Sequence, residues 1–218
     1  MNPSMKRLVT LDSFAAIGNQ VSDPGAIVIR KDEKRFSNFK ELVEYAKTHE
    51  LTTTATGVAG DDHLVTLKLN KELGTQFRAI QFEGTADSRT AFLGGHVDVL
   101  ITSVGEVYTL NDNGQVNVVA VTARKRSPFM EKVPTVQDAT SKTVISASTR
   151  GLVAPKGIAP ETLATLREAM KTAVNDPEYQ AKMKSLGIGA DYMDGPEYMT
   201  VLKSDVTDIK GLSDLIGW

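Results

Sequence analysis

The 218-residue chain contains no cysteine, which removes disulfide frameworks, thiol nucleophiles and cysteine-based zinc sites in one step. It says nothing of compartment, because a cysteine-free chain is tolerated in reducing and oxidising surroundings alike. Long apolar runs are missing too. The longest, such as Val97 to Thr102, fall far short of the roughly 20 residues that span a bilayer. Met1 to Thr10 carries charges and a proline but no apolar h-region, so a signal peptide is not expected in this stretch. An excess of one charge is also lacking: 25 basic against 27 acidic residues give a net charge of -2. Nucleic acid is therefore not an expected partner, since phosphate binding draws on clustered Lys and Arg.

Enzyme signatures are equally scarce. The histidines are His49, His63 and His96, at no metal-binding spacing, and no metal site or cofactor is implied. There is no G-x-S-x-G elbow, Walker A loop or complete G-x-G-x-x-G. Asp112-Asn113-Gly114 lacks the remaining ligands of a calcium loop and reads as a turn. The chain is read as a non-enzyme.

What is present is a globular composition, with 41% apolar and 24% charged residues. Gly25 to Arg30 reads as a strand, and Asn38 with Glu41 opens a helix whose Phe39, Leu42, Val43 and Ala46 share one face. Strand-like runs at Leu51 to Thr56, Gln76 to Phe82, His96 to Thr102 and Gln115 to Thr122 alternate with helical ones at His63 to Leu73, Ala86 to Leu93 and Val104 to Leu110. That order implies βαβ units and a mostly parallel sheet. From Ala123 to Lys142 periodic signals are few. A strand at Thr149 to Ala154 follows, then three helices: one from Pro160 with Leu163, Leu166, Met170 and Ala173 inward, one capped by Asp176, one opened by Asp194 to Glu197.

Ligands in open parallel sheets bind beyond the carboxyl ends of strands, at helix N-termini. Two loops fit: Thr56, Gly57, Ala59, Gly60 and Asp61, and then Gly84, Thr85, Ala86 and Asp87. Their small residues would present backbone donors and the positive ends of helix dipoles to an anion. Ser103 marks a third strand end, and Arg150 could pair with a carboxylate. His63, beside the first loop, is either a neutral hydrogen-bond partner or a structural residue.

An ordered set of motifs carries a resemblance. It comprises Gly57-Val58-Ala59-Gly60 with His63-Leu64, Phe82 to Ala86, Leu93 to Asp98, Val119 to Thr122 with Arg126-Ser127-Pro128, Val133-Pro134-Thr135, and Arg150 to Gly157. Together these resemble the substrate-binding receptors of tripartite tricarboxylate transporters, the Bug family, from about Phe14 onward. The resemblance implies an α/β fold of the type II periplasmic-binding-protein kind, with two lobes of mostly parallel sheet closing on a small carboxylate. Residues 19–140 would form a complete second lobe. Residues 1–18 and 141–218 would be the remainder of an incomplete first lobe, reached through two hinge crossings, with the N-terminal part of the family pattern lacking. It also implies a periplasmic location, a small organic acid or amino acid as ligand, and membrane permease subunits as partners. Two departures stand out: the family's Gly-rich loop after its first strand has no counterpart, and Asp61 and Asp62 stand where Ser or Thr is usual. With Glu83 and Asp87 nearby the wall would be acidic, which admits neutral, zwitterionic or cationic ligands. The alternative is a shortened relative that does not bind and associates with itself through the incomplete lobe.

Overall fold

The computed structural model describes residues 9–217. Elements run in the order β1 (Phe14–Arg30), α1 (Phe39–Ala46), β2 (Leu51–Ala55), α2 (Asp61–Leu73), β3 (Phe77–Gln81), α3 (Thr85–Leu93), β4 (Leu100–Ser103), α4 (Val104–Asp112) and β5 (Val116–Val121). There follow α5 (Val136–Thr140), β6 (Ala147–Pro155), α6 (Pro160–Val174), α7 (Pro177–Ser185), β7 (Ala190–Asp194), α8 (Gly195–Lys210) and α9 (Ser213–Ile216). A short 3₁₀ turn, Leu11–Ser13, precedes β1. The chain divides into two compact units, one of residues up to Ser22 and from Thr149, the other Asp23–Ser148.

These divisions fall later than the expected 18/19 and 140/141 boundaries. Residues 141–148 stay with the second unit because Val144 is buried in its core and Ser146 bonds its backbone to Gly25 and Thr122. At the other crossing, β1 does not break at Asn19 but continues as one strand through Asp23.

In the second unit β2 and β3 pair in parallel, and β2 meets the start of β4 through a parallel bridge between Thr53 and Val99. β1 pairs antiparallel with β4 on one side, Ile27 opposite Ile101, and antiparallel with β5 on the other. Strands β2 to β5 thus share one direction and β1 alone runs against them. A βαβ crossover imposes parallel pairing, whereas β1 enters from the other unit and is free of that constraint. The sheet is open and helices cover both of its faces. Ile27, Ile29 and Ile101 pack with α1, α2 and α5 residues, while Ala26, Val28 and Leu100 pack with Phe92, Val104 and Val107 on the opposite side. That alternation along β1 is the period-two signature of a strand buried on both faces.

Helix starts follow their caps. Asn38 accepts the amide of Glu41, Asp176 those of Glu178 and Tyr179, and Asp194 that of Glu197. Gly74 ends α2 at φ 69°, the left-handed conformation that glycine adopts without a Cβ penalty.

The first unit is built on residues 14–22 of β1, with β6 and β7 as partners; Gly18 lies opposite Asp194. Its core is small: Ile17, Ala154, Met170 and Val174 are buried together. Here α6 departs from expectation. Met170 points inward and Leu163 partly so, but Leu166 and Ala173 are exposed and Val174 is buried instead. The buried face of α6 is therefore rotated toward Val174, and the opposite face is left in solvent. β7 and α5 were not anticipated, each being only five residues long.

Candidate functional site

The carboxyl ends of β2, β3 and β4 each run directly into a helix, so three helix N-termini gather at one rim of the second unit. β2 and β3 end in register, Ala55 opposite Gln81, and the Phe82 amide donates to the Ala55 carbonyl at 2.8 Å. The β2–α2 and β3–α3 loops therefore leave the sheet side by side. Thr85 and Thr102 both donate hydroxyl hydrogen bonds to Glu106, at 3.3 and 2.6 Å, which ties the β3–α3 loop to the first turn of α4.

The first loop is largely engaged with its own side chains. The Thr56 hydroxyl donates to Asp62 Oδ2 at 2.8 Å, and Asp62 Oδ1 accepts the His63 amide at 2.8 Å. The Gly57 amide donates to Gln81 Oε1 at 3.0 Å and the Ala59 amide to His63 Nδ1 at 3.0 Å. The Gly60 amide bonds to the Gly57 carbonyl. Gly57 stands at φ 125° and Ala59 at φ 62°. A left-handed alanine carries a steric cost of about 1 kcal/mol or more, which the His63 bond helps to offset. The donors expected of Gly57 and Ala59 are thus already paired within the chain.

Electrostatics follow from the same geometry. Asp62 is buried at the N-terminus of α2, and burial holds its carboxyl above the usual aspartate value while the Thr56 hydroxyl opposes that shift. Its charge lies where the helix dipole would otherwise attract a foreign anion. The α4 terminus has a comparable occupant: Asp23 Oδ1 accepts the Gly105 amide at 3.1 Å. The α3 terminus differs. Its N-cap residue, Gly84, supplies no side-chain cap, so the opening amides of Thr85, Ala86 and Asp87 lack an intrahelical or capping acceptor. Of the three helix starts, α3 is the one whose opening amides meet no side-chain acceptor of the chain, the nearby Glu106 carboxylate being bonded to the Thr85 hydroxyl instead.

Among the remaining expected residues, Asp61 is exposed at the first position of α2, and its carbonyl accepts from the Ser146 hydroxyl. Ser103 caps α4 by position, yet its Oγ is shielded from solvent and has no hydrogen-bond partner. Arg150 lies on β6 in the first unit, apart in the chain from the rim residues of the second. His63 is half-buried, and burial keeps its imidazole below the ordinary histidine value. Gln81 was missed by sequence reasoning; an exposed glutamine at a strand end carries no motif, and only the register of β2 and β3 brings it to Gly57. Among the described residues no group of three or more His, Asp or Glu could hold a metal. No helix there is long and apolar enough to cross a membrane.

Residues 3–217 match the family model "Tripartite tricarboxylate transporter family receptor". The chain belongs to that family. Its members are solute-binding receptors and not enzymes. A Cupriavidus necator relative, the UPF0065 protein in the gbd 5′ region, is 29% identical over 181 residues, 82% of this chain and 54% of that protein. The chain thus spans about half the length of the curated relatives it matches. A TctC solute-binding protein from Polaromonas superposes with a TM-score of 0.81 at 27% identity, over 95% of this chain and 72% of that one. The periplasmic binding protein BugD superposes at 0.80 with 27% identity, over 94% and 69%. MatC from Rhodopseudomonas palustris, with bound malate, shares the fold at 0.76 and 22% identity, over 93% and 69%. The α/β fold is that of the periplasmic binding proteins.

Proposed function

We propose that the chain is the binding part of a periplasmic solute receptor that takes up a small organic acid or amino acid and passes it to membrane permease subunits. The observation that carries this reading is the open N-terminus of α3, which leaves the Thr85, Ala86 and Asp87 amides for a carboxylate at a rim where the neighbouring helix starts are already served by Asp62 and Asp23. Membership of the receptor family and the malate held by MatC support it. The Thr85, Ala86 and Asp87 amides are the direct contacts, and Gly84, where an added Cβ would meet open space, leaves room for the ligand to approach them. Thr56, Gly57, Ala59 and Gly60 shape the adjoining wall, Ser103 lies at the next strand end, and Arg150, on β6 of the first unit, is a further group able to pair with a carboxylate. Asp61 and Asp87 make the rim tolerant of an amino group on the ligand.

Charge-assisted hydrogen bonds contribute about 1.5–3 kcal/mol each, so two or three of them, less ordering costs, correspond to about millimolar affinity. Isothermal titration and thermal shift with malate, adipate, aspartate and lysine at tens of millimolar test the reading. Stabilisation by at least one acid is expected, and lost in Gly84→Val; no response to any of the four overturns it.

A second reading, self-association through the first unit, is favoured by exposed apolar residues there: Leu152, Val153, Leu166 and Leu186. Light scattering that finds a monomer at high concentration excludes it.

A further inference from the structure

Resting on the receptor reading above, we propose that His63 and Gln81 are ligand-reading residues that convert the amide donors of the first loop into side-chain donors facing a second oxygen of the ligand. The loop consumes its own backbone hydrogens: Gly57 and Ala59 donate to Gln81 Oε1 and His63 Nδ1, both at 3.0 Å. Each acceptor leaves the other end of its side chain as a donor. A neutral imidazole that accepts at Nδ1 carries its hydrogen on Nε2, and a carboxamide that accepts at Oε1 offers both hydrogens of Nε2. Neither His63 Nε2 nor Gln81 Nε2 bonds to another group among the described residues. His63 is half-buried and Gln81 exposed, so both remain reachable.

Position supports a shared task. Gln81 closes β3 three residues before Gly84, the residue that opens the uncapped α3 terminus. His63 stands in the first turn of α2, on the neighbouring strand's loop. An independent observation comes from Ser103 at the end of β4, a strand bridged to β2. The residue is 6% exposed, and its shielded Oγ has no hydrogen-bond partner, an unmet donor that costs free energy.

The chemistry defines the ligand class. A carboxylate takes the amides of α3, and an oxygen elsewhere on the same molecule, whether hydroxyl, carbonyl or a second carboxylate, takes the neutral donors of His63 and Gln81. Both donors are uncharged, so they select for an acceptor oxygen without requiring a full negative charge beside Asp61 and Asp62. An aliphatic acid that lacks such an oxygen leaves them unpaired and binds less well.

Malate and butyrate are the probes, titrated calorimetrically against the full chain, His63→Phe, Gln81→Leu and His63→Gln. Wild type is expected to favour malate by about tenfold, the effect of a neutral hydrogen bond or two. His63→Phe and Gln81→Leu reduce that preference to within about twofold, read as the ratio of the two affinities within each variant. His63→Gln, which keeps an acceptor for Ala59 and an outward donor, retains the preference and serves if the phenylalanine variant fails to fold. Equal binding of the two acids by wild type, or an undiminished preference in both deletion variants, overturns the proposal and leaves the receptor reading intact. Wild type that binds neither acid overturns this proposal, and the receptor reading falls with it only if adipate, aspartate and lysine also give no response.

Discussion

Thr52 and Asp98, 46 residues apart, hold each other through three hydrogen bonds: Asp98 Oδ2 accepts the Thr52 amide at 2.9 Å and hydroxyl at 2.7 Å, and the Thr52 hydroxyl accepts the Asp98 amide at 3.0 Å. The pair ties the start of β2 to the approach to β4, where Val99 begins the parallel bridge. Arg35 adds a bond to Asp98 Oδ1 at 2.8 Å. The orientation of the rim loops depends on this junction, because β2 and β4 deliver two of them. Asp98→Ala removes the acceptor and strands a part-buried amide, at a cost of about 2–3 kcal/mol. Chemical denaturation should read that loss, and Thr52→Val should add little to it in the double variant, since the two residues act as a unit.

Acid should unfold the second unit through the same region. The Arg35 guanidinium beside Glu33, bonded at 2.6 Å, draws the Glu33 carboxyl down to about 2 from an ordinary 4.5. Asp98 is also held below its ordinary value by Thr52 and Arg35, against the effect of its burial. A carboxylate whose folded value is depressed contributes stability above its unfolded value and loses it as pH falls toward the folded one. The loss therefore develops between about pH 4.5 and pH 2 for Glu33. Asp62, shifted upward by burial, acts in the opposite direction and offsets part of it. Glu33→Gln should flatten the stability profile across that window, by thermal denaturation at a series of pH values.

The same residues show how far sequence reasoning reaches. Caps and periodicity located α1, α2, α3, α4, α7 and α8 to within a few residues because their signals are local: Asn38, Gly74, Asp176 and Asp194 each act on amides or turns next to them. Residues 14–24 of β1 were passed over, since alternation is broken by Gly18, Asn19, Gln20 and Asp23 and the pairing partners lie far along the chain. The rim itself was legible as three strand ends with small residues. Its internal hydrogen bonding was not, because which amide meets Gln81 or His63 depends on strand register and on the left-handed turn at Ala59, neither of which leaves a compositional trace.

Core truncation in the second unit should be costly. Leu42 is fully buried among Phe39, Val43 and Ala46 on the inner face of α1, in the larger of its two apolar clusters. Leu42→Ala deletes packing that a close-packed interior cannot refill, with an expected loss of about 3 kcal/mol in denaturant unfolding. A loss below 1 kcal/mol would mean that α1 is loosely packed.

The first unit should respond differently, because its buried cluster is so small. Gly195, the first residue of α8, lies where an added Cβ would run into the Ala16 carbonyl and the Arg167 guanidinium. That guanidinium donates to the same carbonyl at 3.1 and 2.8 Å, so the site has no slack on either side. Gly195→Ala must push α8 away from β1 or break the Arg167 contact, at a cost of about 2–3 kcal/mol. With Ile17, Ala154, Met170 and Val174 as its main buried cluster, the unit has little reserve to absorb this. Hydrogen exchange should show α6, α7 and α8 losing protection while β2, β4 and β5 keep theirs. Equal loss of protection in both units would mean that they unfold as one cooperative body rather than separately.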